Sequence, residues 1–238
     1  MKGRPIQKAE WKLLFKKNSP RNDEFNVVRL LPIKLALMCG MRELEIALLP
    51  MSLIVNSNGT LNEILVLPQT IAHKGKERPI IIPEELRTDF ELYLQVLRKY
   101  GINSWPHPSY CGFDPNSLFV VDEALTPYTT QCRGRTSSSK RVVAKGLNDH
   151  MDRLIKNAGL DVVGVNRKSL LRSFTIEAVR CKWSIQDVAL MSGLSQDSVA
   201  QNLVMDVSQY SPLSNYFSER ENRKNRVAKL RRRWTFEN

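Results

Sequence analysis

The chain has 238 residues, 42% of them hydrophobic and 25% charged, which is ordinary for a soluble globular chain with one sizeable core. No run approaches the roughly 18 uninterrupted apolar residues of a membrane helix, Met1-Lys2-Gly3-Arg4-Pro5 opens on charge and not on a signal-peptide core, and Cys39, Cys111, Cys132 and Cys181 form no CxxC pair, so neither a disulfide framework nor a zinc site is expected. The formal charge of +12 points to a polyanionic partner.

The placement of that charge says more than its total. Residues 2–21 carry seven Lys/Arg against one Glu, and residues 218–234 carry eight against two, so each end holds +6 and the rest is neutral. Within that rest, Arg133, Arg135, Lys140, Arg141 and Lys145 form a third basic run with no acid among them. Solubilising tails would need no such third cluster, whereas a wrapped polyanion would meet all three.

In chain order, residues 6–17 predict a helix, with Trp11, Leu14 and Phe15 on one face and Lys8, Lys12 and Lys16 on another. Residues 26–38 predict a strongly apolar helix containing Pro32. Residues 42–49 predict another, stopped by Pro50. Three short strands follow at 52–55, 61–67 and 79–83. Asn56-Ser57-Asn58-Gly59 makes the first turn and His73-Lys74-Gly75-Lys76 the second, so a small three-stranded antiparallel sheet is expected. Residues 84–100 predict an amphipathic helix, 101–117 a loop, 118–121 a strand and 126–139 a polar, basic surface loop. Helices are predicted at 142–158, capped by Gly159, at 168–182, 185–192 and 197–205, and as a basic helix at 218–234. The fold class is α+β, mainly helical.

Two segments carry a family resemblance. Cys39-Gly40-Met41-Arg42-Glu43-Leu44-Glu45-Ile46-Ala47-Leu48 resembles Thr-Gly-Leu-Arg-x-x-Glu-x-x-x-Leu, the first box of the tyrosine recombinase (phage integrase) catalytic domain. Ser169-Leu170-Leu171-Arg172-Ser173-Phe174-Thr175 is similar to that family's His-x-Leu-Arg-His-x-Phe-Ala. Between them, Lys74-Gly75-Lys76-Glu77-Arg78 is similar to its Gly-Lys-Gly-x-Lys-x-Arg turn, and the run ending in Ser192-Gly193-Leu194-Ser195 resembles its Leu-Gly-His-Ser. The resemblance spans about residues 6–205 and implies a catalytic domain over 1–210 followed by a basic tail over 211–238, with no room for a separate N-terminal core-binding domain.

In the resembled family a tyrosine hydroxyl attacks a DNA phosphate and becomes covalently linked to it. Two arginines hold the non-bridging oxygens, because a guanidinium fork matches phosphate geometry and stays charged. A lysine or histidine protonates the leaving oxygen. The resemblance places Arg42 and Arg172 as the arginines, Lys74 as the lysine and Glu45 as the acid that supports Arg42. Taken alone, Arg42 would read as a solvated arginine or one ion-paired with Glu45 a helical turn away, and Lys74 and Lys76 as plain surface lysines.

The departures are severe. The histidine positions hold Ser169 and Leu194, and His73, His107 and His150 all precede the second box. The tyrosine window holds Asn202, Leu203 and Val204, with Tyr210 and Tyr216 beyond. The expectation is a double-stranded DNA binder weak or inactive in strand cleavage, accessory to or regulating integration of a mobile element. Its expected DNA contacts are Lys12, Lys16, Lys76, Arg133, Arg135, Lys140, Arg141, Arg223 and Arg226. It would be cytoplasmic and nucleoid-associated, need no cofactor or metal, and use its C-terminal helix toward a second copy or a partner recombinase. Two alternatives stand beside it: an active recombinase with Tyr210 as displaced nucleophile, and an RNA-binding or assembly factor, for which the aromatic-rich basic strand of single-strand RNA readers is missing.

Overall fold

The computed structural model describes residues 3–134 and 141–205. Arg135, Lys140, Tyr210, Tyr216, Arg223, Arg226 and the whole basic tail lie outside the described residues.

Eight helices and two small sheets make up the described chain: α1 Lys8–Lys17, α2 Asn26–Cys39, α3 Glu43–Ala47, β1 Ile64–Leu67, β2 Arg78–Ile81, α4 Glu84–Lys99, β3 Gln131–Arg133, β4 Arg141–Val143, α5 Lys145–Asn157, α6 Arg167–Arg180, α7 Ile185–Ser192 and α8 Gln196–Val204. This is the mainly helical α+β architecture expected. Helix α2 is its axis. Val28, Leu31, Ile33, Leu35 and Leu37 are buried around its circumference, as a helix surrounded by others requires, and α4, α5 and α6 all pack on it. Pro32 sits inside α2 without ending it.

The end of α2 positions everything that follows. Gly40 caps it in the left-handed conformation (φ 65°), which a residue without Cβ adopts at no steric cost. A Cβ there would also lie 2.5 Å from the Phe174 ring of α6. Two independent constraints therefore demand glycine, and the tight turn delivers Arg42 directly against α6 and α7.

The expected three-stranded sheet is corrected to two separate two-stranded sheets, β1–β2 and β3–β4. Residues 52–55 do not form a strand. Met51–Leu53 is a 3-10 turn, and Met51, Ile54 and Val55 are the buried positions, a spacing of three and four that belongs to helical turns and not to the alternation of a strand. The Asn-Gly turn does form, closed by a bridge between Val55 and Leu61. Residues 118–121 are likewise no strand. Phe119, Val120 and Val121 are all buried, and Tyr93 pins them by donating to the Phe119 carbonyl (2.6 Å) and accepting from the Val121 N–H (3.0 Å).

The expected surface loop at 126–139 instead contributes β3, paired antiparallel with β4 so that Arg133 lies directly opposite Arg141. Helix α5 begins three residues later than predicted for this reason. Like charges facing each other across a ribbon oppose pairing.

Candidate nucleic-acid interface

Helix α3 begins after Arg42, not at it. Arg42 is extended (φ −92°, ψ 159°) and stands just before the first turn. Its backbone N–H donates to Glu45 Oε2 at 2.7 Å. Glu45 thus supports Arg42 through the main chain, and no ion pair joins their side chains. The Glu45 carboxylate is taken by Arg78 at the start of β2, through Nε to Oε1 at 3.2 Å and Nη2 to Oε2 at 2.5 Å. Both partners are almost fully buried. Arg78 Nη2 also donates to the Gly40 carbonyl, and Glu45 Oε1 accepts the His73 N–H at 2.9 Å. One buried pair therefore ties the Gly40 turn, the first turn of α3 and the β1–β2 connection together.

The Arg42 side chain reaches the other way. Its Nη2 points to the carbonyls of Ser192 and Gly193, each at 3.4 Å, at the C-terminal end of α7 where Gly193 forms a left-handed cap. Cations are favoured at that end of a helix. Arg42 Nε is buried with no hydrogen-bond partner. Burial pushes the guanidinium pKa down, and Glu45 opposes that shift.

Arg172 projects from the middle of α6. A cleft of about 320 Å³ is lined by Arg42 and Arg172 together, with Arg167, Lys168, Leu194, Ser198 and Asn202 among the other lining residues. The two arginines singled out from distant boxes thus share one cavity. They also share a property. Arg167 is ion-paired with Glu43 and Asp152, and Arg78 with Glu45. Among the described residues neither Arg42 nor Arg172 has a carboxylate partner. Both are held by main-chain carbonyls, Arg42 by Ser192 and Gly193 and Arg172 by Gly3. Carbonyls orient a guanidinium without neutralising it.

The remaining expected positions are placed as follows. Leu194, in the second histidine position, lines the cleft. Ser169, in the first, is fully buried and accepts the Asn166 N–H at the start of α6 (3.0 Å). On α8 it is Asn202, not Leu203, that faces the cleft. Its amide donates to Thr175 Oγ1 at 3.2 Å, and Thr175 in turn donates to the Arg172 carbonyl at 2.7 Å. Val204 points to solvent. Lys74 is exposed, in a left-handed conformation (φ 60°), and does not line the cleft. Its neighbour His73 anchors that turn to Glu45. Lys12, Lys16, Lys76, Arg133 and Arg141 are all exposed.

The residues that sequence reasoning passed over are Arg78, the two basic cleft residues Arg167 and Lys168, and Asn202. Arg78 had a weak signal: it is the last charge before the apolar run Pro79-Ile80-Ile81, and Glu45 lies between Leu44 and Ile46, so both stand next to apolar stretches. Buried charges need partners. Arg167 and Lys168 stand immediately before the second box and were readable as its basic flank.

No protein-family model matches the chain, and no curated protein does. Solved structures do. The XerA recombinase superposes with a TM-score of 0.58 at 18% identity, over 91% of this chain and 64% of its own. The XerH site-specific recombinase bound to palindromic difH substrate, in a post-cleavage complex, gives 0.54 at 15%, over 87% and 52%. The fold is that of a tyrosine recombinase catalytic domain. The Tn1549 transposon integrase in complex with transposon right end DNA agrees, at 0.53 and 12% identity, over 92% and 65%. The chain thus spans between about half and two thirds of the length of these recombinases. Residues 39–48 span the α2–α3 turn and residues 169–175 lie on α6. These elements meet because Gly40 closes on Phe174. No helix among the described residues is long and apolar enough to cross a membrane.

Proposed function

We propose that the chain binds double-stranded DNA through the Arg42–Arg172 cleft and is weak or inactive in cutting it. The observation that carries this is the pair of cleft arginines oriented by carbonyls and left without carboxylate partners. Two such forks in one cavity present several donors to a single anionic group, and a phosphodiester takes bidentate guanidinium contacts. The exposed Arg133 and Arg141, opposed across the β3–β4 ribbon, add a second anionic contact. A polyanion between them would relieve their repulsion, and a two-stranded ribbon fits the major groove. The exposed Lys74, Lys76, Lys12 and Lys16 would supply further phosphate contacts. The solved recombinases of this fold include ones bound to DNA, which favours the same partner class here. The recombinase-like domain would comprise residues 1–210 and the basic tail 211–238, with a place beside DNA in the cytoplasm and an accessory or regulatory role in recombination of a mobile element.

The cleavage-deficient part rests on what lines the cleft. The polar side chains that α8 presents there include Ser198 and Asn202. An amide is no nucleophile, the Ser198 hydroxyl is paired with the Ser195 hydroxyl at 2.8 Å and not with a base that would activate it, and Leu194 can neither donate a proton nor accept one. Active cleavage would need Tyr210, outside the described residues, or a tyrosine from a second copy.

Nicked suicide duplexes of randomised sequence separate these readings. The expected result is a shifted complex in a native gel and no protein–DNA adduct after denaturation. A denaturation-resistant adduct that disappears in Tyr210→Phe would establish an active enzyme with a displaced nucleophile and overturn the cleavage-deficient reading.

A further inference from the structure

Residues 3–6 lie along α6 as an extended strap ahead of α1. The Arg4 N–H donates to the Gly164 carbonyl at 3.2 Å and its Nε to the Val163 carbonyl at 2.6 Å. The Arg4 guanidinium is also ion-paired with Glu10 on α1. Ile6 is buried in the main core. Its N–H donates to Ser173 Oγ at 2.8 Å, and that hydroxyl donates to the Ser169 carbonyl at 2.8 Å. Gly3 makes the closest approach. An added Cβ would stand 2.1 Å from Asn166 Oδ1 and 2.6 Å from Ser169 Oγ. Any other residue there would have to displace the Asn166 and Ser169 side chains or the strap itself.

That approach has one chemical consequence: the Gly3 carbonyl accepts from Arg172 Nη1. We propose that Gly3 is a positioning residue, whose carbonyl holds the Arg172 guanidinium aimed into the cleft. This role presupposes that Arg172 binds a DNA phosphate. A guanidinium has five N–H donors. The carbonyl occupies one and leaves the others for the cleft that Arg172 lines. A neutral acceptor fixes the rotamer while the full positive charge remains available, which a carboxylate in the same place would not allow. Ligand-contacting side chains are commonly oriented by such supporting hydrogen bonds. The small size of Ser169 is part of the same device, since a bulkier side chain there would collide with the strap.

The test is duplex affinity, read by fluorescence anisotropy at several salt concentrations. Arg172→Ala should weaken binding by about five- to 150-fold and flatten the slope of log affinity against log salt by roughly 0.9, the share of one phosphate. Gly3→Val should weaken binding by about three- to tenfold, with a flattened slope. Adding it to Arg172→Ala should change nothing further. If Gly3→Val does not fold, removal of residues 1–3 takes the carbonyl away without any clash and should give the same result. Tighter binding in either variant would make the strap a competitor for Arg172 and overturn the proposal. So would a loss with an unchanged slope that adds to Arg172→Ala, since a purely structural role lowers affinity without removing a phosphate contact. An unchanged slope in Arg172→Ala itself would instead remove the phosphate-binding reading of the cleft, and the strap's role with it.

Discussion

Alanine in place of Glu45 is expected to lower stability by about 3–5 kcal/mol, the usual effect of stranding one member of a buried ion pair. In a chain of this size that corresponds to a melting temperature lower by roughly 10 °C. The reason is local. Glu45 and Arg78 are both almost fully buried and joined by two hydrogen bonds. Without Glu45, the Arg78 charge keeps only the Gly40 carbonyl, and the N–H groups of Arg42 and His73 lose their acceptor. Arg78→Ala should cost a similar amount. The double variant should lose much less than the sum, because the second substitution removes the charge that the first left uncompensated. Thermal or urea unfolding of the three variants reads this directly. A loss under about 1 kcal/mol for either single variant would mean that the pair is not the tie between the Gly40 turn and the hairpin.

Alanine at Arg42 or Arg172 is expected to weaken duplex binding by about 1–3 kcal/mol, the scale of a lost charge-assisted contact. The two losses should not add, since both side chains line one cleft and would meet one phosphate. Arg42→Ala should also leave the C-terminal carbonyls of α7 without their cation, a weaker effect of about 0.3–1 kcal/mol on stability. Binding and unfolding therefore respond to different degrees, and the comparison separates a ligand contact from a structural one. Fully additive losses would place the arginines on different phosphates. Negligible losses with the fold intact would make both boxes structural.

The helices were legible because their apolar spacing is strong and their caps are explicit. Residues 185–192 form the helix expected there, and the structure adds its caps, Ser184 at the start and the left-handed Gly193 at the end. The strands were not legible to the same degree. Met51, Ile54 and Val55 form an apolar group in the sequence, and such a short group does not reveal whether its burial follows a period of two or of three to four. Residues 118–121 were read as a strand because they are apolar. Their main-chain groups are met by Tyr93 and by single bridges instead of a ladder. The sheet at β3–β4 lay hidden in a polar, basic stretch because both its strands are largely exposed, so no apolar alternation marks them.

Arg42 and Arg172 were singled out from the two boxes, and both line the same cleft. The role of Glu45 was half legible. Glu45 was expected to orient Arg42, which it does through the Arg42 N–H, but its ion-pair partner Arg78, across a turn and a hairpin, was not foreseen. Long-range pairing of that kind leaves no local pattern. The strap was invisible for the same reason: Gly3 reads as an ordinary small residue near a chain end, and only the 2.1 Å approach to Asn166 gives its identity a cause.

The measurement closest to the central claim is the affinity of the intact chain for duplex DNA across a series of salt concentrations. Each phosphate neutralised contributes roughly 0.9 to the slope of log affinity against log salt. A cleft holding one phosphate, flanked by a basic ribbon and exposed lysines, predicts affinity that falls with a slope steeper than about −3. Absence of duplex binding at low salt, or binding that does not change as salt rises, would contradict it.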